Sequence, residues 1–139
     1  MRMNTDAKKY RFLHTMLRVR DLDKSIDFYT RHLAMKVLRK QDFSDGEFTL
    51  VFLGYGDEEN NTVIELTHNW GQTEDYEHGS AFGHLAVAVP DVYKTCADLE
   101  AAGVAIPRPP GPMKFGGASL AMAFIEDPDG YKIELIERG

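Results

Sequence analysis

Asn61-Thr-Val-Ile-Glu-Leu-Thr-His-Asn-Trp-Gly71 is the stretch that decides the fold, because its centre recurs near the end of the chain in Tyr131-Lys-Ile-Glu-Leu-Ile136. Ile64-Glu65-Leu66 and Ile133-Glu134-Leu135 are the same tripeptide, 69 residues apart. Each reads as a buried strand with a carboxylate at its centre. A buried carboxylate is costly unless another group pairs with it. The two strands therefore predict two carboxylates that converge on one site.

A second pair of similar segments indicates that the whole chain is a duplication. Phe12-Leu-His-Thr-Met-Leu-Arg-Val-Arg-Asp21 aligns with Phe82-Gly-His-Leu-Ala-Val-Ala-Val-Pro-Asp91, so that His14 and His84 are 70 residues apart. Each half opens with a strand and an amphipathic helix, and three strand-like segments complete it. We therefore predict an α+β fold of two βαβββ modules. The predicted ranges are a mobile N-terminal tail at 1–10, modules at 11–70 and 81–139, and a linker at 71–80.

Local patterns place the elements within each module. Alternation puts His14, Met16 and Arg18 on one face of the first strand. Asp21 or Asp23 is expected to cap the first helix, Asp91 the second, and Gly103 fits the left-handed position that ends the second helix. Further strands are predicted at 36–39, 48–53, 62–67, 105–106, 120–125 and 131–137, with a hairpin turn at 126–130 and a proline-rich loop at 107–117.

The bulk composition excludes several classes of function. A chain of 139 residues suffices for one domain or two small modules. Its net charge of −6 argues against nucleic acid or an anionic membrane as the main partner. No apolar run has the length of a membrane span, and the polar N-terminal residues lack an apolar signal core. Cys96 is the single cysteine, which suits a reducing compartment, so a cytoplasmic location is expected.

The duplication places four potential metal ligands at equivalent positions. Imidazole and carboxylate groups together suit divalent Zn, Ni, Co, Mn or Fe. A lone histidine or glutamate in a strand is more often structural, but the repetition of the set favours a metal site. Four donors on a six-coordinate metal leave two positions for water or substrate. The predicted ligands are His14, Glu65, His84 and Glu134.

Polar residues near these ligands suggest a substrate that bears carboxylates or peptide groups. Arg18 shares the face of His14, and Asn69 shares the face of Glu65 if that strand continues. The alternative for Arg18 is a surface salt bridge. Arg108 and Lys114 lie in the proline-rich stretch and could add positive charge over the pocket, the alternative being solvated loop cations.

Five motifs of the chain recur together in one known family. They are Phe12-Leu-His-Thr-Met-Leu-Arg-Val, Ser25-Ile-Asp-Phe-Tyr, Val63-Ile-Glu-Leu-Thr-His-Asn-Trp-Gly, Phe82-Gly-His and Glu126-Asp-Pro-Asp-Gly-Tyr-Lys-Ile-Glu-Leu. Over about residues 11 to 137 the chain thereby resembles the glyoxalase I enzymes of the vicinal-oxygen-chelate superfamily. The resemblance implies paired βαβββ modules in a domain-sharing homodimer, with metal sites at the subunit interface. It also implies the four ligands above, and Arg18 and Asn69 as glutathione contacts.

The resemblance implies a reaction as well as a fold. The implied substrate is the hemithioacetal of methylglyoxal and glutathione, and the product is S-D-lactoylglutathione, formed through an enediol intermediate. Glu134 is implied as the base, with Glu65 as a near-symmetric partner that the sequence does not rank below it. The zinc-dependent type carries Gln where His14 stands and Arg where Ser80 stands. The short chain and His14 resemble the bacterial type, which favours Ni²⁺ or Co²⁺ over Zn²⁺.

Other functions of the same fold stay open at this point. An extradiol dioxygenase uses two histidines and one glutamate on iron, and Glu65 argues against it as a fourth ligand. An epimerase acting on a coenzyme A thioester carries a different ligand set, and a non-enzymatic antibiotic-binding protein lacks one. A related thiol such as trypanothione is also compatible with the sequence.

Overall fold

The computed structural model describes residues 6–114 and 120–138. The chain divides into a first unit, Met1–Glu74, and a second unit, Asp75–Gly139, and the division falls within the predicted linker at 71–80. Part of the predicted N-terminal tail lies outside the described residues, and Ala7–Lys9 forms one 3-10 turn. No helix of the described residues combines the length and the apolar character that crossing a bilayer requires.

Both units follow the predicted order of elements. The first contains β1 (His14–Arg18), α1 (Leu22–Asp27) continued by a π-helical segment (Phe28–His32), β2 (Lys36–Phe43), β3 (Phe48–Gly54) and β4 (Val63–Asn69). The second contains β5 (Leu85–Val89), α2 (Val92–Ala101), β6 (Arg108–Pro112), β7 (Ala121–Glu126) and β8 (Lys132–Glu137).

The strand order is the same in the two sheets. It is β1-β4-β3-β2 in the first unit and β5-β8-β7-β6 in the second. The first and last strands of each unit pair in parallel, and the remaining pairs are antiparallel. Glu65 in β4 and Glu134 in β8 therefore lie on inner strands that are hydrogen-bonded on both sides, which fixes the backbone that carries them.

The predicted helix caps are confirmed. The Asp21 carboxylate accepts a hydrogen bond from the amide of Lys24 at 3.1 Å, and Asp91 accepts one from the amide of Lys94 at 3.0 Å. Gly103 has φ of +82°, the left-handed conformation that glycine adopts without strain. Each helix therefore begins where a side chain satisfies an otherwise unpaired backbone amide.

One face of each sheet is core, and this fixes the register of the opposite face. Leu66 is fully buried in β4, as are Ile133 and Leu135 in β8. Burying one such side chain contributes about 1.5–3 kcal/mol. In the second unit α2 packs against β6, β7 and β8. A register slip by one residue would expose these side chains, so the intervening residues are held on the other face.

Two strands differ from the prediction. The strand predicted at 105–106 is wrong, because the chain there is not a strand and β6 lies at Arg108–Pro112, inside the predicted loop at 107–117. β6 is an edge strand, where proline is tolerated, and the pairing register shifts between Arg108 and Gly111. β2 continues past residue 39 to Phe43, because it pairs with β3 along that length. Residues 115–119 of the predicted loop lie outside the described residues.

Candidate metal and substrate site

The first unit brings His14 and Glu65 together. In the parallel pairing of β1 with β4, His14 lies opposite Val63 and Met16 opposite Glu65, so the two polar side chains are diagonal neighbours on one face. His14 Nε2 is 2.8 Å from Glu65 Oε1. The side chains are 36% and 13% exposed, which leaves the imidazole accessible while the carboxylate is largely enclosed.

The second unit repeats this arrangement with His84 and Glu134. β5 pairs in parallel with β8, with Ala86 opposite Glu134, and His84 immediately precedes β5. His84 Nε2 is 3.4 Å from Glu134 Oε1, a looser approach than in the first unit. The His84 side chain is 41% exposed and the Glu134 side chain 17%, so the histidine is again the more accessible of the two. The two units therefore present two similar His–Glu pairs.

The spacing within each pair fits a divalent metal. Donors at about 2.1 Å from a metal are about 3.0 Å apart when octahedral and about 3.4 Å apart when tetrahedral. The pair distances of 2.8 Å and 3.4 Å span this range, so they accommodate a metal without selecting its geometry. In residues 6–114 and 120–138 no three His, Cys, Asp or Glu side chains group closely enough to hold a metal. Each His–Glu pair supplies two donors to such a metal.

Arg18 and Asn69 lie at the far ends of the strands that carry the first pair. Arg18 is opposite Thr67, and Asn69 ends β4. Four strand positions separate Arg18 from His14 and Asn69 from Glu65, which is about 13 Å along the sheet. The two residues therefore lie well beyond ligand distance of the pair, on the same face. This is the position expected for contacts to an elongated substrate.

Arg108 and Lys114 lie in the second unit beside Glu134. Both line a cavity of about 270 Å³, together with Met113, Met122, Phe124 and Glu134. Arg108 donates hydrogen bonds to the carbonyl oxygens of Pro109, Met122 and Pro112. Its orientation is thereby fixed while its charge still borders the cavity. The structure thus places cations and apolar side chains around one carboxylate.

Sequence reasoning missed the aromatic neighbours of the two histidines. Phe52 meets the His14 ring edge-on with centroids 5.5 Å apart, and Phe124 meets the His84 ring with centroids 5.0 Å apart. The two phenylalanines are 72 residues apart, close to the spacing of the glutamates. That near-match is the signal that could have identified them.

The sequence also left His78 in the linker without a role. Its ring stacks on Tyr131 with centroids 4.2 Å apart and an interplanar angle of 5°. His78 lines a cavity of about 480 Å³ that also borders His84, Arg108 and Lys132. His68, by contrast, approaches the carbonyl of Val19 at 3.3 Å and borders a different cavity.

Comparison with known proteins identifies the family. Residues 11–135 match the model of the glyoxalase/bleomycin resistance protein/dioxygenase superfamily. The chain therefore belongs to this superfamily, which agrees with two sheets of identical order and a repeated His–Glu pair.

Individual relatives are more specific. A probable lactoylglutathione lyase of Synechocystis is 58% identical over 125 residues, which cover 90% of this chain and 93% of that protein. The crystal structure of glyoxalase I from Zea mays superposes with a TM-score of 0.87 at 47% identity, covering 93% of this chain and 45% of the maize chain. The trypanothione-dependent glyoxalase I of Leishmania major gives a TM-score of 0.80 at 50% identity, covering 92% of this chain and 86% of that chain.

Proposed function

We propose that this chain is a metal-dependent lactoylglutathione lyase, which isomerises the hemithioacetal of methylglyoxal and glutathione to S-D-lactoylglutathione. The observation that carries the proposal is the pair of matching His–Glu arrangements in a member of this superfamily. The probable lactoylglutathione lyase of Synechocystis and the lactoylglutathione lyase of Neisseria meningitidis match over 93% and 91% of their length and support the same reaction. The reaction detoxifies methylglyoxal by converting its glutathione hemithioacetal into a thioester.

His14, Glu65, His84 and Glu134 act as the metal ligands in this proposal. Two donors come from each of two chains, so that a homodimer forms each site at its subunit interface. The repetition of one His–Glu pair in each unit supports this grouping. When bound, the metal polarises the adjacent oxygens of the substrate and lowers the energy of the developing negative charge. Ni²⁺ or Co²⁺ is favoured over Zn²⁺ because His14 supplies nitrogen where the zinc type has an amide.

Glu134 acts as the base that removes the proton from one substrate carbon and returns it to the next. A single carboxylate serves both steps if it changes from base to acid between them. The cavity that Glu134 borders supports this choice, since a base must lie within reach of the substrate proton. Met113, Met122 and Phe124 line the cavity beside it and would exclude water from the reacting end.

The glutathionyl part binds along the sheet, away from the reacting carbons. Arg18 and Asn69 hold one end, about 13 Å from the His14–Glu65 pair. Arg108 and Lys114 supply positive charge near Glu134 for a second carboxylate. Binding of the remote part orients the reacting carbons against the base. We place the enzyme in the cytoplasm, because its single cysteine suits the reducing compartment in which free glutathione is available.

A direct assay tests this function. The hemithioacetal is formed from methylglyoxal and glutathione, and thioester absorbance is followed on metal-stripped protein with and without added Ni²⁺. The expected result is metal-dependent thioester formation. A parallel reaction with trypanothione distinguishes the two thiols, and we expect the glutathione adduct to be preferred. Absence of thioester with any of Ni²⁺, Co²⁺ or Zn²⁺ would refute the proposed function in favour of an epimerase, a dioxygenase or a binding protein.

A further inference from the structure

The same row of three side chains, a glutamate, a phenylalanine and an arginine, crosses each sheet beside the His–Glu pair. In both units the strand register places a phenylalanine opposite the glutamate and an arginine opposite that phenylalanine. The row is Glu65–Phe52–Arg39 over β4, β3 and β2, and Glu134–Phe124–Arg108 over β8, β7 and β6. The two arginines, like the two glutamates, are 69 residues apart.

In the first unit this row forms a continuous stack that ends on the ligand His14. The guanidinium carbon of Arg39 lies 3.8 Å from the centroid of the Phe52 ring. Phe52 is 4% exposed, and its ring meets the His14 ring at 83°. A cation over an aromatic face is stabilising, and an edge-to-face contact restricts how each ring can turn. Arg39 thus covers one face of the Phe52 ring, and Phe52 limits the orientation of the His14 ring.

Glu58 fixes Arg39 in this position. The Glu58 carboxylate accepts hydrogen bonds from Arg39 Nε at 2.7 Å and from Arg39 Nη2 at 3.2 Å. The hydrogen bonds to Glu58 raise the pKa of Arg39 above its ordinary value. Two parallel hydrogen bonds hold a planar guanidinium in one orientation, which a single contact does not. Glu58 also offsets the charge of Arg39.

The arginine of the second row is held differently. Arg108 donates to the carbonyl oxygens of Pro109, Met122 and Pro112 instead of to a carboxylate, and it borders two cavities of that unit. The same row position therefore carries an arginine that faces a cavity in one unit and an arginine neutralised by an acid in the other. A contact with substrate explains the position of Arg108 but gives Arg39 no role.

We propose that Arg39 is a positioning residue for the metal ligand His14: held by Glu58, it packs on Phe52, and Phe52 in turn limits the orientations of the imidazole. The inference rests on the proposed function only in taking His14 as a ligand. Groups that orient a ligating histidine change metal affinity by about 10- to 100-fold. Arg39 therefore acts on metal affinity through Phe52 and does not touch the substrate.

The test measures Ni²⁺ binding to the metal-stripped full chain by competition with a chelating dye. Arg39→Gln combined with Glu58→Gln leaves the net charge unchanged and should raise the Ni²⁺ dissociation constant about tenfold. Phe52→Leu should raise it by a similar factor, and all three changes together should add little more, because they remove one mechanism. Arg39→Lys keeps the charge but cannot make the two parallel hydrogen bonds to Glu58, so its dissociation constant should lie between those of the parent and the double variant.

A matched control uses another arginine–acid pair. Arg31→Gln with Asp27→Asn removes an exposed ion pair, with N–O distance 3.0 Å, from the helical segment and should leave the dissociation constant unchanged. A parent-like constant in the Arg39/Glu58 variant, when Phe52→Leu weakens binding, would overturn the proposal. The proposal would also be overturned if the Arg39/Glu58 and Arg31/Asp27 double variants changed the dissociation constant equally, or if the parent bound no Ni²⁺. A parent that binds Ni²⁺ but forms no thioester would refute only the proposed function.

Discussion

Replacing Arg18 by alanine should weaken substrate binding and leave turnover nearly unchanged. Arg18 lies about 13 Å along the sheet from His14. At that distance two unit charges interact by about 0.3 kcal/mol in water and about 1.3 kcal/mol at an effective dielectric constant of 20. Loss of a charge-assisted hydrogen bond to a glutathione carboxylate costs about 1.5–3 kcal/mol, or about 10- to 150-fold in kcat/KM. The binding effect therefore exceeds any direct effect on the chemistry.

Initial rates of thioester formation by the Ni²⁺-loaded enzyme separate the two effects. KM for the hemithioacetal should rise about 10- to 150-fold, and kcat should change by no more than about 2- to 9-fold. Arg31→Ala is the matched control, because it removes the same charge from an exposed ion pair with Asp27 and should leave both constants unchanged. Thermal unfolding of each variant shows whether the fold is retained.

Two outcomes would refute the role given to Arg18. If kcat fell as far as kcat/KM at constant KM, Arg18 would act at the reacting carbons. If KM were unchanged and the thermal midpoint fell, Arg18 would serve as a structural ion pair, the alternative that the sequence left open.

Three further predictions address the metal, the base and the core. Metal-stripped protein should regain activity with Ni²⁺ or Co²⁺ and little with Zn²⁺; best recovery with Zn²⁺ would contradict the assigned metal type. Glu134→Gln should lower kcat by about 10² or more with a far smaller change in KM, and near-normal turnover would transfer the base role to Glu65. Burial, with Glu100 nearby, raises the pKa of the Cys96 thiol. Because folding raises this pKa, the thiol stays neutral in the folded state at a pH where it ionises in the unfolded chain. Its contribution to the free energy of unfolding is therefore fully present below its ordinary pKa of 9.0 and declines as the pH rises above that value. Urea midpoints measured across this range should fall less steeply for Cys96→Ser, and an equal slope would show that Cys96 does not contribute.

The part of the fold that depends on local alternation could be predicted from the sequence. Period-two patterns placed His14, Met16 and Arg18 on one face, and the strand register confirms it. The repeated tripeptide indicated that Glu65 and Glu134 occupy equivalent inner strands. These predictions succeeded because buried neighbours in the same segments fix the register.

The remaining features depend on contacts between distant segments. β6 was missed because prolines argue against a strand unless it lies at an edge, and a single sequence does not show which strand is an edge. Phe52 and Phe124 depart from the glutamate spacing because the β3–β4 connection, 55–62, is three residues longer than the β7–β8 turn, 127–131. The contact of Arg39 with Phe52 arises only from cross-strand pairing. The glutathione contacts predicted for Arg18 and Asn69 were implied by the family resemblance, since strand position alone shows only that these residues lie on the same face as His14 and Glu65.

Mixing two inactive variants tests most directly whether two chains build each metal site. His14→Ala and His84→Ala homodimers each carry one lesion in every site and should be nearly inactive. Refolded together, about half of the dimers are heterodimers by random pairing. One site of each heterodimer contains both alanines. The other site is intact, because His14 and Glu65 come from the His84→Ala chain and His84 and Glu134 come from the His14→Ala chain. About a quarter of all sites, and of the parental activity, should therefore return. No recovery, with heterodimers shown to be present, would mean that His14 and His84 of each site come from the same chain, and it would contradict the proposed grouping of the ligands.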